Sequence, residues 1–128
     1  MNKKRRVLIL VVVVLLLACI GMLLIEILLH PLRRAYNDVI LDNYNHYLPC
    51  SMLPAEEKVR QVVDEHRVEI TAIEQIDPGS IGVEIDTGTC PGKGDLVIWY
   101  ASHADRLAVE KMLNGNTFFG IPYRLQNR

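Results

Sequence analysis

The sequence predicts an α+β protein in which one N-terminal transmembrane helix precedes a small two-layer domain. Residues 7–25 are nineteen consecutive positions without a charged, amide or hydroxyl side chain, which is typical of a membrane span. Residues 54–128 contain stretches with the 3.6-residue period of helices and stretches with the two-residue period of strands. The predicted domain has the order αβββαβ and a four-stranded mixed sheet.

The same patterns divide the chain into four segments. We expect a basic cytoplasmic segment, a membrane helix that acts as a signal anchor, a juxtamembrane helical connector, and a small extracytoplasmic α/β domain. Their predicted bounds are residues 1–6, 7–29, 30–53 and 54–128.

The charge of the soluble part argues against nucleic-acid binding. The chain has a net charge of −1, but from Ala55 onward it carries eight basic and twelve acidic side chains. A nucleic-acid surface needs clustered Lys and Arg that displace counterions from phosphates. The predicted domain is acidic and has no such cluster.

The apolar segment is long enough to cross a bilayer, because nineteen residues of helix span about 30 Å. Basic side chains occupy residues 3–6 before it, whereas only Arg33 and Arg34 follow it closely. Since positive flanks stay in the cytoplasm, we expect a single-pass protein in the cell membrane with the C-terminal domain outside.

Two other interpretations of this segment place the domain on the same side. Leu16-Leu17-Ala18-Cys19 resembles the lipobox of a bacterial lipoprotein, which would make Cys19 a lipidated residue, although the apolar run continues beyond it. A cleaved signal peptide is the other, but its apolar core is only about 7–15 residues long.

Glu26 and the tyrosines that follow it are candidate partner-binding residues. Glu26 interrupts the apolar run near its outer end, where it is either an interfacial carboxylate or the partner of a polar group on another transmembrane helix. Tyr36, Tyr44 and Tyr47 recur on one predicted helical face of the connector. This face either meets the membrane interface or packs on the domain.

The domain elements follow in order from their patterns. A helix is predicted to begin at Leu53-Pro54 and to bury Ala55, Val59, Val62, Val63 and His66. Alternation then predicts a strand from Val68 towards Ile76, a turn at residues 77–80, and a second strand at residues 81–86 that pairs with the first as a hairpin.

The third predicted strand, residues 96–101, is apolar without alternation and therefore central or buried on both faces. It contains Trp99, which we expect in or beside the core or, alternatively, on the open face as a binding anchor. A helix capped by Ser102 and closed by Asn114-Gly115 follows. Its predicted buried stripe consists of Ala104, Leu107, Ala108, Lys111 and Met112, with Val109 and Leu113 beside it.

The last predicted strand contains Ile121, Tyr123 and Leu125, and Pro122 indicates an edge position. The third strand, second helix and last strand form a right-handed crossover if the two strands are parallel. We then expect the helices to cover one face of the sheet.

The cysteines Cys50 and Cys90 are the pair available to the soluble part. They are predicted to form a disulfide outside the cytoplasm, or to be free thiols inside it. A metal site would combine His46, Cys50, Cys90 and His103, but structural zinc sites usually show two close ligand pairs. We predict no metal site, no cofactor and no catalytic residue.

Four segments of the domain resemble a small bacterial α/β module of unassigned role that sometimes occurs beside trypsin-like peptidases. They are Val63-Asp64-Glu65-His66-Arg67, Ile81-Gly82-Val83-Glu84-Ile85, residues 96–100 and the Gly120-Ile121-Pro122 ending. The resemblance covers about 60 residues by motif alone. It implies the α/β fold and supplies no catalytic residue.

One function and two alternatives therefore stand as expectations. The chain is predicted to be a non-catalytic interaction module or an accessory subunit of a membrane complex, with the lipid bilayer and a protein as partners. Its candidate contact residues are Glu26, Tyr44, Tyr47 and Trp99. The alternatives are a lipoprotein attached at Cys19 and a thiol- or metal-dependent enzyme that uses Cys50 and Cys90.

Overall fold

The computed structural model describes residues 2–128 of the chain. It contains four α-helices and four β-strands within that range, together with a short π-helical turn at Tyr36–Ile40 and a 3₁₀ turn at Cys50–Met52. The helices are α1 (Lys3–Ala35), α2 (Glu56–Glu65), α3 (Arg67–Glu74) and α4 (His103–Leu113). The strands are β1 (Gly82–Asp86), β2 (Asp95–Tyr100), β3 (Thr117–Phe118) and β4 (Ile121–Asn127).

Helix α1 is a separate unit of the chain. It is 33 residues long, contains the predicted span, and has no buried residue. With the adjoining π-helical turn it reaches Ile40, and it is long and apolar enough to cross a membrane, a property that a signal sequence shares. The predicted long apolar N-terminal helix is thus confirmed.

The second unit, Asn37–Arg128, is built on the predicted four-stranded mixed sheet. The strand order is β1-β2-β4-β3, in which β2 pairs antiparallel with β1 and parallel with β4. Helix α4 lies between β2 and β4 in the chain, so the predicted parallel crossover is present. Leu96, Val97 and Ile98 are all buried, as predicted for a central strand.

The first predicted strand is wrong, because residues 67–74 form helix α3. Ile70 and Ile73 are buried at a helical spacing of three, whereas Val68 is 80% exposed. The alternation that indicated a strand covered only a few residues, and so short an apolar pattern also fits one helical face. The predicted hairpin is therefore absent from the described residues, and β1 pairs with β2 instead.

The fourth strand of the sheet is β3, which the sequence patterns missed. Thr117 and Phe118 pair with Pro122 and Ile121 across a tight turn in which Phe119 and Gly120 both have positive φ. The predicted edge position of β4 is also wrong, since β4 lies between β2 and β3. Pro122 is accommodated because the pairing of β4 with β2 begins only at Tyr123, so Pro122 lies outside that ladder.

Helix α4 has the predicted ends but the opposite buried face. The Ser102 side chain accepts a hydrogen bond from the Asp105 backbone N–H, and Asn114 closes the helix in a left-handed conformation. Val109 is fully buried, and Leu113 packs against the core. The predicted stripe is wrong. Leu107 and Met112 are exposed, because the side of the helix that carries Val109 and Leu113 faces the sheet.

The core consists of one apolar cluster from α2, α3, α4 and the sheet. Alternate residues of β2 and β4 supply its centre, among them Leu96, Ile98, Tyr100 and Leu125, all with no exposed surface. Burial of apolar side chains from every element is the main driving force of this fold.

The predicted connector helix is shorter than expected, because the helical turn ends at Ile40 and residues 41–49 are extended or irregular. We call residues 41–49 the extended segment. Tyr44 exchanges two backbone hydrogen bonds of 2.9 Å with Leu125 of β4, beyond the reach of β3. The extended segment therefore completes the sheet edge, and the compact unit begins at Asn37.

Removing the extended segment is expected to destabilise the domain. Residues 37–128 should unfold cooperatively, whereas residues 54–128 lose the Tyr44–Leu125 bridge and a disulfide worth about 2–4 kcal/mol. Urea denaturation followed by circular dichroism measures both fragments. A 37–128 fragment with Cys50→Ser and Cys90→Ser isolates the covalent part, and equal stability of that control and residues 54–128 would contradict a role for the extended segment.

Candidate functional site

A disulfide joins the segment before α2 to the loop between β1 and β2. Cys50 and Cys90 are bonded, with their Cα atoms 5.5 Å apart, so the predicted pair is confirmed. Cys90 is buried and Cys50 is exposed. The same two segments are also linked by backbone bonds, from Glu56 N–H to Gly92 O and from Gly94 N–H to Pro54 O. Both backbone bonds lie just after the cysteines in the chain, so the two segments are joined by backbone pairing next to the disulfide.

Charged side chains form a cluster on the sheet face that does not carry the main core. We call this the polar face, and the strand registers place Gly82, Glu84, Asp86, Asp95, Val97, Trp99 and Arg124 on it. The polar cluster on this face consists of His46, Asp86, Asp95 and Arg124. Asp95 is only 3% exposed, and it is the one charged residue among residues 2–128 that is buried.

Arg124 connects three strands through this cluster. Its Nε and Nη2 donate to the two carboxylate oxygens of Asp95 at 2.6 and 2.9 Å, and Nη2 also donates to Asp86 at 2.5 Å. These bonds raise the pKa of Arg124, with the hydrogen bond to Asp95 as the largest cause. A bidentate pair of this kind compensates for the burial of a carboxylate.

His46 brings the extended segment to the same carboxylate. Its Nε2 lies 2.8 Å from Asp95 Oδ2, and its Nδ1 lies 3.0 Å from the backbone nitrogen of Leu48. Because the Leu48 N–H can only donate, Nδ1 accepts and Nε2 carries the proton that is donated to Asp95. Both ring nitrogens of His46 are therefore engaged in hydrogen bonds within the domain.

Asp86 ends β1 and orders the loop that follows. The Thr89 hydroxyl donates to its carboxylate at 2.6 Å, and the backbone N–H groups of Gly88 and Thr89 also donate to it. The hydrogen bond from Thr89 and that from Arg124 lower the pKa of Asp86 to about 2. Asp86 therefore stays ionised, which keeps Arg124 and the loop that carries Cys90 in place.

A second ion cluster binds the start of the extended segment to α4. Arg106 Nη1 donates to Asp42 at 2.8 Å, and His103 Nδ1 lies 3.0 Å from both Asp42 oxygens. Burial alone would raise the pKa of Asp42, but the bonds from His103 and Arg106 lower it. The Tyr100 hydroxyl donates to the Asp42 backbone carbonyl.

The predicted partner-binding residues are dispersed over the chain. Tyr44 packs against Tyr123, with ring centroids 5.5 Å apart, and lies against the core. The Tyr47 hydroxyl donates to Asp38 at 2.8 Å. Glu26 lies in α1 and forms no ion pair with any of residues 2–128. The contacts of the two tyrosines match the interpretation in which they pack on their own domain, and their binding of a partner stays a prediction.

Trp99 lies on the polar face and outside the main core. Its indole covers Gly82 on β1, its Nε1 donates to Glu84 at 3.2 Å, and the Arg128 guanidinium is 5.7 Å from the ring centroid. A Cβ added at Gly82 would overlap Cζ2 and Cε2 of the ring. The glycine is therefore what allows the indole to lie flat on the sheet.

The polar cluster was missed by sequence reasoning, although a signal for it exists. Asp95 begins an otherwise apolar strand and Arg124 lies between the apolar residues Tyr123 and Leu125, and a charge at such a position requires a partner. His46 and Cys50, considered as metal ligands from their spacing, have different partners in the structure. Within residues 2–128, no group of three His, Cys, Asp or Glu side chains converges in a way that could hold a metal ion.

Comparisons with protein families, curated proteins and solved structures return no match to this chain. The resemblance to a small bacterial module therefore stays a prediction, and the geometry of the chain itself carries the functional inference.

His46→Ala is expected to lower the free energy of unfolding of residues 37–128 by about 1–3 kcal/mol, because Asp95 loses a donor in a buried site. Urea denaturation measures the change. His103→Ala is the matched control: His103 also bonds an aspartate but is exposed, so we expect a change within about 0.5 kcal/mol. Equal losses for the two variants would contradict the assigned role of the polar cluster.

Gly82→Ala is expected to destabilise the same fragment by about 1–3 kcal/mol, because the new methyl group overlaps the indole. In a Trp99→Ala background the overlap is gone, so Gly82→Ala should be close to neutral. A double-mutant cycle followed by circular dichroism measures the coupling. Additive effects would show that the two residues do not contact each other.

Proposed function

We propose that this chain is a single-pass membrane protein that presents a small, disulfide-linked interaction domain outside the cytoplasm. The observation that carries the proposal is helix α1, an apolar helix of 33 residues with no buried residue. The exposed apolar surface of residues 7–25 requires cover, and the hydrocarbon core of a bilayer, about 30 Å thick, supplies it over that length.

The side of the membrane is supported by two independent features. Basic residues 3–6 precede the apolar run, which favours a cytoplasmic N-terminus. The bond between Cys50 and Cys90 supports the same orientation, because structural disulfides persist in oxidising compartments. In this proposal the bilayer and a protein are the partners of the chain.

Binding rather than catalysis is the role that the site geometry favours. The two thiols available to the domain are joined to each other, and both nitrogens of His46 are engaged. A mechanism based on these cysteines or on His46 needs a free thiolate or a ring nitrogen within reach of a substrate. The polar cluster instead fixes the extended segment, and so the proposal assigns it a structural role.

Membrane-impermeant labelling tests the orientation. In a Cys19→Ser background, intact cells treated with an impermeant reductant and then an impermeant maleimide should be labelled at Cys50, which is exposed. Asn2→Cys in a Cys50→Ser and Cys90→Ser background is the control for the other side, and it should react only after lysis. Labelling of Cys50 only after lysis would contradict the proposal.

The same samples distinguish an anchor helix from lipid attachment. If α1 is an anchor, the wild-type and Cys19→Ser chains should both remain in the membrane fraction and should have the same length. A wild-type chain shorter than the Cys19→Ser chain by residues 1–18 would indicate the lipoprotein alternative.

A further inference from the structure

The disulfide of the domain has one exposed end and one buried end. Cys50 is exposed and begins the 3₁₀ turn Cys50–Met52, all of whose residues are exposed. Cys90 is only 5% exposed and lies in the loop between β1 and β2. The two residues of one bond therefore differ in how far a molecule in the solvent can reach them.

This difference matters because thiol–disulfide exchange has a defined geometry. A thiolate attacks one sulfur in line with the bond, and the other sulfur leaves on the opposite side, so access decides which sulfur is attacked. An attack on Cys50 Sγ comes from the exposed side of the bond, whereas an attack on Cys90 Sγ has to come through the part of the domain that buries Cys90. Access therefore selects Cys50 as the point of attack.

Cys90 is held in place by bonds that do not involve its sulfur. The Lys93 N–H donates to the Cys90 carbonyl at 2.9 Å and closes a tight turn. Pro91 and Gly92 are its central residues, and Gly92 has a φ of 74°, which is the pairing that a turn of this kind favours. The Asp86 carboxylate orders the preceding part of the loop. Cys90 therefore keeps its position when the disulfide is opened.

The segment that carries Cys50 is also tied to this loop through the backbone. Glu56 N–H donates to Gly92 O at 3.2 Å, and Gly94 N–H donates to Pro54 O at 3.1 Å. These bonds do not depend on the sulfur atoms. After the disulfide opens they keep the two segments adjacent, so the two thiols stay within reach of each other.

We propose that this disulfide is a reversible exchange site for a dithiol protein, with Cys50 as the attacked residue and Cys90 as the resolving residue. A thiolate of the partner bonds to Cys50 Sγ, the Cys50–Cys90 bond breaks, and Cys90 leaves as a thiolate. Attack by Cys90 on Cys50 Sγ restores the bond and releases the partner.

The second thiol of the partner opens the other route. It attacks the partner's own sulfur in the mixed disulfide and releases Cys50 as a thiolate. Two electrons and two protons then pass from the dithiol to the domain, so the partner becomes a disulfide and Cys50 and Cys90 become thiols.

The inference rests on the proposed function for its compartment, because the disulfide persists where the surroundings are oxidising. The choice of the attacked sulfur depends on the fold alone and is measured on the purified chain. Labelling of Cys50 only after lysis would therefore contradict the proposed orientation, whereas the site of attack is decided separately.

A thioredoxin whose second active-site cysteine is replaced by Ser tests the site of attack, because it forms a mixed disulfide that it cannot resolve. The full chain with Cys19→Ser, purified in detergent, is treated briefly and quenched with acid. Non-reducing proteolysis and mass spectrometry should find the adduct on Cys50 in about tenfold excess over Cys90. An adduct mainly on Cys90, equal amounts on both, or no adduct would overturn the proposal.

The same chain unfolded in urea is the matched control. Both cysteines are then open to the solvent, so the adduct should be divided about equally between Cys50 and Cys90. An equal excess of the Cys50 adduct in the folded and the unfolded chain would overturn the proposal, because the fold would not be the cause of the preference.

Glutathione disulfide tests the resolving role of Cys90. The Cys19→Ser chain is reduced, freed of reductant and given one equivalent of glutathione disulfide. The adduct on Cys50 should convert to the Cys50–Cys90 bond with release of glutathione, whereas a chain that also carries Cys90→Ser should keep it. A lasting adduct in the chain with both cysteines would overturn the proposal, and this result does not depend on how well the Cys90→Ser chain folds.

Discussion

The buried carboxylate of Asp95 is the constraint on which the domain architecture depends. An unpaired charge in this position would cost several kcal/mol, so its partners have to be present wherever β2 is buried. Arg124 comes from β4 and His46 from the extended segment, about 30 and 50 residues away in the chain. The hydrogen bonds to this one carboxylate therefore link two features of the fold. They require the parallel pairing of β2 with β4, and they fix the position of the chain before α2.

That coupling makes the extended segment part of the fold. The segment contacts α4 through an ion pair of Asp42, β4 through a backbone bridge of Tyr44, and β2 through a hydrogen bond of His46. Directly after the segment, the disulfide of Cys50 adds a covalent link to the loop between β1 and β2. The chain is consequently ordered from the end of the apolar helix onward. The extended segment therefore does not behave as a flexible linker.

The charged side chains and thiols described above make their contacts within the domain, whereas several apolar side chains are left exposed on its surface. The ionisable groups of the polar cluster bind one another, and the thiols bind each other. Leu107 and Met112 of α4 and the indole of Trp99 remain at the surface, and exposed apolar side chains are of the kind that proteins use for binding. This division is the physical reason for proposing an interaction domain.

The sequence by itself determined the apolar helix, the α+β class, the central strand at residues 96–101, the caps of α4 and the cysteine pair, since each depends on local periodicity, turn chemistry or composition.

Tertiary structure decided the rest. Residues 67–74 became helix α3 because Ile70 and Ile73 meet the core at helical spacing, and α4 buried Val109 rather than Leu107 because the sheet lies on that side. The polar cluster joins residues far apart in the chain, and the charge on Asp95 indicates only that a partner is needed. Which residue supplies it depends on strand order and on the path of the extended segment, which no local pattern encodes.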